Sequence, residues 1–548
     1  MHLNRRRPLP INSIHTRSRN HRRIPSLEAL EERVVLSPTI FTVTSIADGT
    51  SRGTLRWAIK SANANPKSAG SIIEFSPSVF KKPRLISLTD GTLDLTETKG
   101  PEVIQGPTVG VTISGSHNVG GSVFYIERET ADVHASLSGL TITGGRATFS
   151  GFRGEGGGIL NLGYLTLSDC TVKGNYAHFA GGIQSGNQLT LNDCTISGNT
   201  AKGGAGGIYC HGLTAVDSTI SDNSTGNRGG GISSGGGTLK LTGCTISGNS
   251  SVFDAGIYSA NPTTLTNCTI SGNSASSTVG GLYLGAAFTI HASTISGNSA
   301  GTGTGCGLNV AYDAGGARTL VNTIIAGNTS GSSRSPSDLA ATSAGLVRGS
   351  FNLIGPGGSA GIVNGSNGNI VLTSLPELKL APLANNGGPT ETMALLPGSV
   401  AINNGTFITG LTTDQRGKPL DRPRPDIGAY QSQGYILSVV AGSTPQSTNG
   451  GSSFSDPLAV MLTQNGTNLP KKQKLYEQFR LRASEHLPCS VPDFPQSSIW
   501  SSGPRGSIGG VLWFERFGSQ AFRRSDWRGP DDRDPAMRSE YRRAPPLF

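Results

Sequence analysis

Apolar and polar residues alternate along most of this chain in bursts of three to five residues, each closed off by Gly or Asn. The clearest bursts carry the pattern Thr-Ile-Ser-Gly-Asn or a near copy, at residues 171–175, 195–199, 219–223, 245–249, 269–273 and 294–298, with a looser version ending at Asn328. Their asparagines are spaced 24, 24, 26, 24, 25 and 30 residues apart. A Gly-Gly-Ile-like series runs in step through Ile159, Ile183, Ile208, Ile232 and Ile257, then Leu282 and Leu308. A Leu-x-Leu series completes the period at Leu165/Leu167, Leu189/Leu191 and Leu239/Leu241, with Phe288/Ile290 later. A local period of two belongs to strands, so each repeat of about 24 residues predicts three short strands. Helical repeats of this length would show a 3.6-residue period and few glycines.

A strand of three to five residues cannot bury an apolar face alone. Coiling the chain stacks equivalent positions about 4.8 Å apart and closes parallel sheets around one core. The expected fold is all-β, a right-handed parallel β-helix with coils of about 24 residues. Alternation assigns the facing: Cys194 and Ile196 point in, Thr195 and Ser197 point out. The inward column is Val172, Ile196, Ile220, Ile246, Ile270 and Ile295. Asn175, Asn199, Asn223, Asn249, Asn273 and Asn298 are expected to form a structural ladder, hydrogen-bonding from coil to coil in a tight turn. Weaker coils precede these, around Leu93/Leu95, Val111/Ile113, Phe124/Ile126 and Leu140/Ile142.

Composition narrows the class. Gly supplies 78 of 548 residues, and charged residues only 15%, against about 25% in an average protein. That is too few charges for a wholly disordered chain, and the glycines do not fall on every third residue as collagen requires. No run of 18 or more apolar residues exists, so no transmembrane helix is expected. The net charge of +10 sits at the ends. Residues 1–37 hold eight Arg against three Glu, and residues 471–548 hold 14 basic against nine acidic residues. Between them, residues 38–470 carry 23 of each sign. The repeat region therefore lacks the basic stripe of a nucleic-acid binder, and no nucleic-acid partner is expected.

Particular segments resemble known families. Leu27-Glu28-Ala29-Leu30-Glu31-Glu32-Arg33, closing on Leu36-Ser37, resembles a short N-terminal element of planctomycete surface and secreted proteins. That resemblance implies export, to an extracellular or cell-surface location. The Gly-Gly-Ile and Asn-ended motifs are similar to those of polymorphic outer-membrane proteins and other bacterial β-helix surface proteins. Residues 41–80 look like the usual start of such chains, with Leu55-Arg56-Trp57-Ala58-Ile59 resembling the S-L-R-x-A-I helix. Trp57 stands where that family carries a polar residue. The segments LAPLANNGGPTETMALLPGSVAINNG, TTDQRG and DIGAY, within 321–430, resemble the choice-of-anchor Q module that finishes such β-helices. Val400 stands where that module carries Pro. The stretch 438–470 looks like the opening of a bacterial immunoglobulin-like domain, after which Lys471 begins an aperiodic tail. That tail is read either as the product of a disrupted coding frame or as an unfamiliar small domain.

The organisation expected is a basic leader at 1–37, a strand and helical cap at 38–80, a β-helix at 81–330, a choice-of-anchor-like module at 331–432, a partial immunoglobulin-like start at 433–470, and an unstructured tail at 471–548.

Candidate chemistry is sparse. Asp169, Asp193 and Asp217 occupy equivalent positions on three coils and could stack as a Ca²⁺-binding or catalytic column. The next equivalents, Gly243, Asn267 and Ala292, favour instead a turn position that accepts Asp, Asn and Gly. Cys170, Cys194, Cys244 and Cys268 share one column with Ser218 and Ser293, which reads as an interior stack of small side chains. Parallel Cβ vectors disfavour disulfides there. His178, His211 and His291 lie at different phases of the repeat. No catalytic residue, metal site or cofactor beyond Ca²⁺ is expected. The reading is a non-enzymatic exported protein contacting extracellular polysaccharide or protein. The alternative is a polysaccharide lyase or glycoside hydrolase, since β-helix lyases use acidic clusters on one face. A groove holding several carboxylates with a Lys or Arg would mark it, and the sequence exposes no such cluster.

Overall fold

The computed structural model describes residues 37–439 apart from short breaks at 98, 117–119, 128–132, 149–153, 312–314 and 344, together with 460–464 and 467–468. The leader and the tail from residue 471 lie outside the described residues.

Each coil runs through parallel strands that pair in register with the coil before and after. The Gly-Gly-Ile strands form one column, from Leu93–Leu95 through Phe124–Ile126 and Ile159–Asn161 to Leu308–Val310 and Leu339–Ala341. The Leu-x-Leu strands form a second, from Thr39–Val43 and Ser71–Phe75 to Arg348–Ser350. These two columns merge into one 20-stranded sheet, because Ile183–Asn192 and Ile208–Val216 run unbroken through both. The Thr-Ile-Ser strands build a 12-stranded sheet. A fourth, short strand follows the Asn turn and builds a 9-stranded sheet, which the three-strand reading of the sequence missed. Apart from Tyr176–Phe179 and Thr200–Gly203, its members, such as Ser224–Thr225, are two residues long and too short to show a period.

One apolar core runs inside the coils from Val43 to Ile362, with Ile196, Ile220, Ile246, Ile270 and Ile295 fully buried. Two left-handed turn columns let the chain bend tightly. One holds Asp169, Asp193, Asp217, Asn267, Ala292 and Asn322 at φ between 44° and 52°, with Gly243 at 67°. The other holds Gly174, Gly198, Gly248, Gly272 and Gly297, with Asp222 in the same role. The Gly-Gly of each Gly-Gly-Ile is needed for close approach. A Cβ on Gly207 would sit 2.6 Å from the Gly231 carbonyl oxygen and 3.0 Å from Asn223 Nδ2.

The stacked strands begin and end beyond the range that periodicity suggests. Thr39–Val43 already pairs with Ser71–Phe75, and the last rungs are Leu353–Ile354 and Ile370–Val371. The α-helix Leu55–Asn63 packs against the first strands, capped by Thr54, whose hydroxyl oxygen accepts the Trp57 N–H. Arg56 anchors it. The guanidinium pairs with both Asp48 oxygens at 2.8 and 2.9 Å and donates to the carbonyls of Gly91 and Thr92. Burial alone would raise the Asp48 pKa, but Arg56 and main-chain N–H groups overcome it and hold it at about 2.

After the last rungs, an antiparallel pair, Leu380–Ala384 with Thr392–Leu395, opens a segment that folds back on the Thr-Ile-Ser sheet. It corrects the facing read from alternation. Thr171, Thr195 and Thr219 are half-exposed, but Thr245, Thr269 and Thr294 are at most 1% exposed. The buried threonines bond the returning chain: Thr245 Oγ1 donates to the Glu391 carbonyl, and the Ala429 N–H donates to Thr294 Oγ1. A separate three-stranded sheet contains Tyr435–Val439, Val460–Gln464 and Thr467–Asn468. No helix among the described residues is long and apolar enough to cross a membrane.

Candidate functional site

Four sets of residues were singled out from sequence, and the structure gives each a definite environment. The asparagines are buried and linked. In every coil the main-chain N–H and the Nδ2 of one Asn both donate to Oδ1 of the next, at 2.9–3.1 Å, from Asn175 through Asn298 to Asn328. The second Nδ2 hydrogen reaches back to a carbonyl of the preceding coil, as from Asn223 to Ile196. Asp338 closes the ladder, accepting both donors of Asn328 on Oδ1 and the Gly357 N–H on Oδ2. This ladder is structural and leaves no surface for chemistry.

The cysteines at 170, 194, 244 and 268 are buried free thiols, as are Cys210 and Cys306. Burial raises Cys170 to about 11 and Cys194 to about 12. Such thiols are unreactive. The same column continues as Ser218, Ser293, Thr323, Asn352 and Asn369, where a second short ladder forms: Asn352 donates twice to Asn369 Oδ1. The asparagine thus changes column in the last coils, which is why the sequence period fades there.

Asp169, Asp193 and Asp217 all occupy the left-handed turn column. Burial, then the charge of Asp193, raises the Asp217 carboxyl above its ordinary range. Among the described residues no group of three or more His, Cys, Asp or Glu converges as a metal site. His178 and His211 are exposed, and His291 is half-buried.

A different constellation lies on the outward positions of the Gly-Gly-Ile column. In register they are Gln184, Tyr209, Ser233, Tyr258, Tyr283 and Asn309. The Tyr258 and Tyr283 rings stack with centroids 5.3 Å apart and planes 23° from parallel. Arg228 reaches over from the adjoining turn, its Cζ 5.1 Å from the Tyr258 centroid and 5.5 Å from that of Phe253. Its Nε lies 3.7 Å from Asp254 Oδ2, with Arg228 about half exposed and Asp254 buried. Asp254 Oδ1 accepts the Thr278 hydroxyl at 2.9 Å. Burial raises the Asp254 carboxyl, against the opposing pull of Thr278 and Arg228. Tyr209 packs edge-on against Phe179, 4.9 Å between centroids, beside His211.

The arrangement is a half-buried strip of phenol rings with a guanidinium at its middle. Ring faces offer apolar, electron-rich contact, and phenol and guanidinium groups offer hydrogen bonds at the rim. The sequence reading missed it. Tyr209, Tyr258 and Tyr283 each follow an Ile or Leu of the Gly-Gly-Ile series, so their shared face was legible. Phe253 and Asp254 lie in the turn that leads into the Tyr258 strand, whereas Arg228 lies in the equivalent turn one coil earlier, and only stacking brings it alongside. Glu155 stands four coils before Asp254, about 19 Å away at the spacing of stacked strands, so the two carboxyls do not form one centre.

A family model described as a right-handed β-helix region matches residues 103–261. Among curated proteins none matches the chain. Among solved structures the chain is similar to a pectate lyase, Pel9A, at 15% identity, with a TM-score of 0.38, over 72% of this chain and 96% of that one.

Proposed function

We propose that this protein is an exported, non-enzymatic β-helix that contacts extracellular polysaccharide along the strip Tyr209–Tyr258–Tyr283. The observation that carries this reading is the Tyr258–Tyr283 stack with Arg228 laid over it and held by Asp254. Sugar rings present apolar C–H faces edged by hydroxyls, and a stacked phenol strip with a guanidinium matches both. Strand spacing of about 4.8 Å makes the strip linear, which suits a polymer. The resemblance of residues 27–37 to the N-terminal element of exported proteins supports an extracellular partner. The returning segment covers much of the Thr-Ile-Ser sheet, which directs contact towards the tyrosine face.

A second reading, cleavage of such a polymer, draws on the Arg228–Asp254 pair, a cation beside a carboxyl of raised pKa. The test is a panel of acidic and neutral polysaccharides incubated with the full chain, scored for both binding and new chain ends. Binding without new ends, lost in Tyr258→Ala, is the expected result. New chain ends abolished by Arg228→Ala would replace it with the enzymatic reading, and binding unchanged in Tyr258→Ala would remove the strip from consideration.

A further inference from the structure

The most unusual polar groups in the described structure are not on the surface. Glu97 is 1% exposed and Glu102 fully buried. Glu102 opens a strand, Glu102–Gln105, at an inward position of the Leu-x-Leu column, in register with Ser71 on one side and Ala135 on the other. Beyond Ala135 that column carries Leu165, Leu189, Leu213 and Leu239, then Thr263, Phe288 and Arg318. Neither Glu102 carboxyl oxygen has a hydrogen-bond partner, nor does Glu97 Oε2. Among the described residues, Glu97 Oε1 accepts the Lys99 N–H alone. Two rungs along the same column, Thr39 Oγ1 is also buried without a partner. Between them Ser71, fully buried, has its oxygen turned to the Asn65 amide.

A buried carboxylate without partners is among the costliest groups a core can hold. Something must compensate it. A single proton shared by the pair would bridge two oxygens and leave the remaining ones unpaired. A divalent cation would balance both charges at once and accept several oxygens. The donor set is all oxygen, with no thiolate or imidazole, which selects a hard cation. Small neighbours, Ser71 and Ala135, flank the site, where the four rungs beyond Ala135 carry leucines.

We propose that Glu97 and Glu102 form a Ca²⁺ site inside the first coils, completed by neighbouring hydroxyl and main-chain oxygens. The site would pin the turn between the Leu93–Leu95 and Glu102–Gln105 strands to the coil beneath the helical cap. It is separate from the tyrosine strip and does not depend on the proposed polysaccharide contact.

The test uses the full chain, stripped with EDTA and titrated with CaCl₂ by calorimetry, with melting followed in parallel. Wild type should take up one equivalent and melt a few degrees higher at about 100-fold excess over Kd. Glu102→Gln and Glu97→Gln should each lose that equivalent and the Ca²⁺-dependent rise, while circular dichroism shows the coil intact. Asp193→Asn should keep both, and polysaccharide binding should be the same in all three variants. A wild type that binds no Ca²⁺ overturns the proposal whatever the variants do. So does an equivalent that survives in both Glu variants but disappears in Asp193→Asn, which would place the ion on the aspartate column. Metal-free Glu102→Gln melting above wild type, with no Ca²⁺ uptake by wild type, would assign the pair to a shared proton instead.

Discussion

Thr269 Oγ1 donates to Gln415 Oε1 at 2.6 Å, joining residues 146 apart in sequence. The Gln415 amide in turn donates to Thr245 Oγ1 and Thr390 Oγ1, each at 2.8 Å. One buried side chain therefore ties two coils to the returning segment. Next to it Asp414 pairs with Arg416 at 2.7 Å, and the guanidinium lies 3.6 Å from the Tyr430 ring centroid. This region contains the TTDQRG and DIGAY segments, whose residues here act as clasps.

Replacing Gln415 by Ala should loosen the returning segment. It leaves the Thr269 hydroxyl without its acceptor in a buried site, at about 1–3 kcal/mol for each group so stranded. Limited proteolysis should then cut within residues 386–431 at protease levels that spare wild type. Thr219→Val, at the same place in an uncovered coil, should change stability by less than about 0.5 kcal/mol. Equal effects of Thr219→Val and Thr269→Val would show that coverage is not what separates them.

The asparagine ladder should be intolerant at its middle. Asn249→Ala removes the acceptor of two Asn223 donors and the donor to the Ile220 carbonyl. Unmet partners of that number predict a loss of several kcal/mol. Asp338→Asn should also destabilise, since an amide there sets its N–H₂ against the Gly357 N–H that Asp338 Oδ2 now accepts. Chemical denaturation of the three proteins orders them, and an Asp338→Asn midpoint equal to wild type would contradict the terminating role.

Metal-free stability should depend on pH in two opposite ways. Asp48 has a folded pKa of about 2, below its unfolded value, so its contribution is present above about pH 4 and disappears as pH falls towards 2. Glu102 is raised to about 8, by burial first and then by the Glu97 charge, with the Glu97 N–H opposing too loosely to count as a bond. The folded protein then holds a proton that the unfolded chain has already released, so stability falls as pH rises from about 4.5 to 8. Asp426, raised to about 6 by burial, adds to the lower part of that fall. Melting temperature in EDTA should therefore decline from pH 6 to 8 in wild type and stay flat in Glu102→Gln.

The interior thiols should accept Ser but resist reagents. Cys244→Ser copies Ser218, which occupies the same column and donates to the Val216 carbonyl while accepting the Cys194 N–H. Its cost should stay near 1 kcal/mol. Cys244→Leu should cost more, as overpacking does. Disulfide-exchange reagents at pH 8 should label none of the six described thiols until denaturant is added.

What the sequence determined by itself was whatever repeats locally. A period of two, broken every few residues by Gly or Asn, specifies short strands, their inward Ile and Leu positions, and the turns between them. The left-handed position at 169, 193 and 217 was legible because Asp, Asn and Gly interchange there, as such a turn allows. The tertiary structure decided everything that depends on which coil a residue lies in. Thr-Ile-Ser at 219–221 and at 269–271 is the same string, yet one threonine faces water and the other is buried under Gln415. No local pattern can encode that, because the covering segment arrives from 146 residues away. Arg228, Asp254 and Tyr258 likewise sit at different phases of the repeat. Stacking coils of about 25 residues at about 4.8 Å brings Arg228 of one coil beside Asp254 and Tyr258 of the next, since strand spacing converts sequence distance into contact.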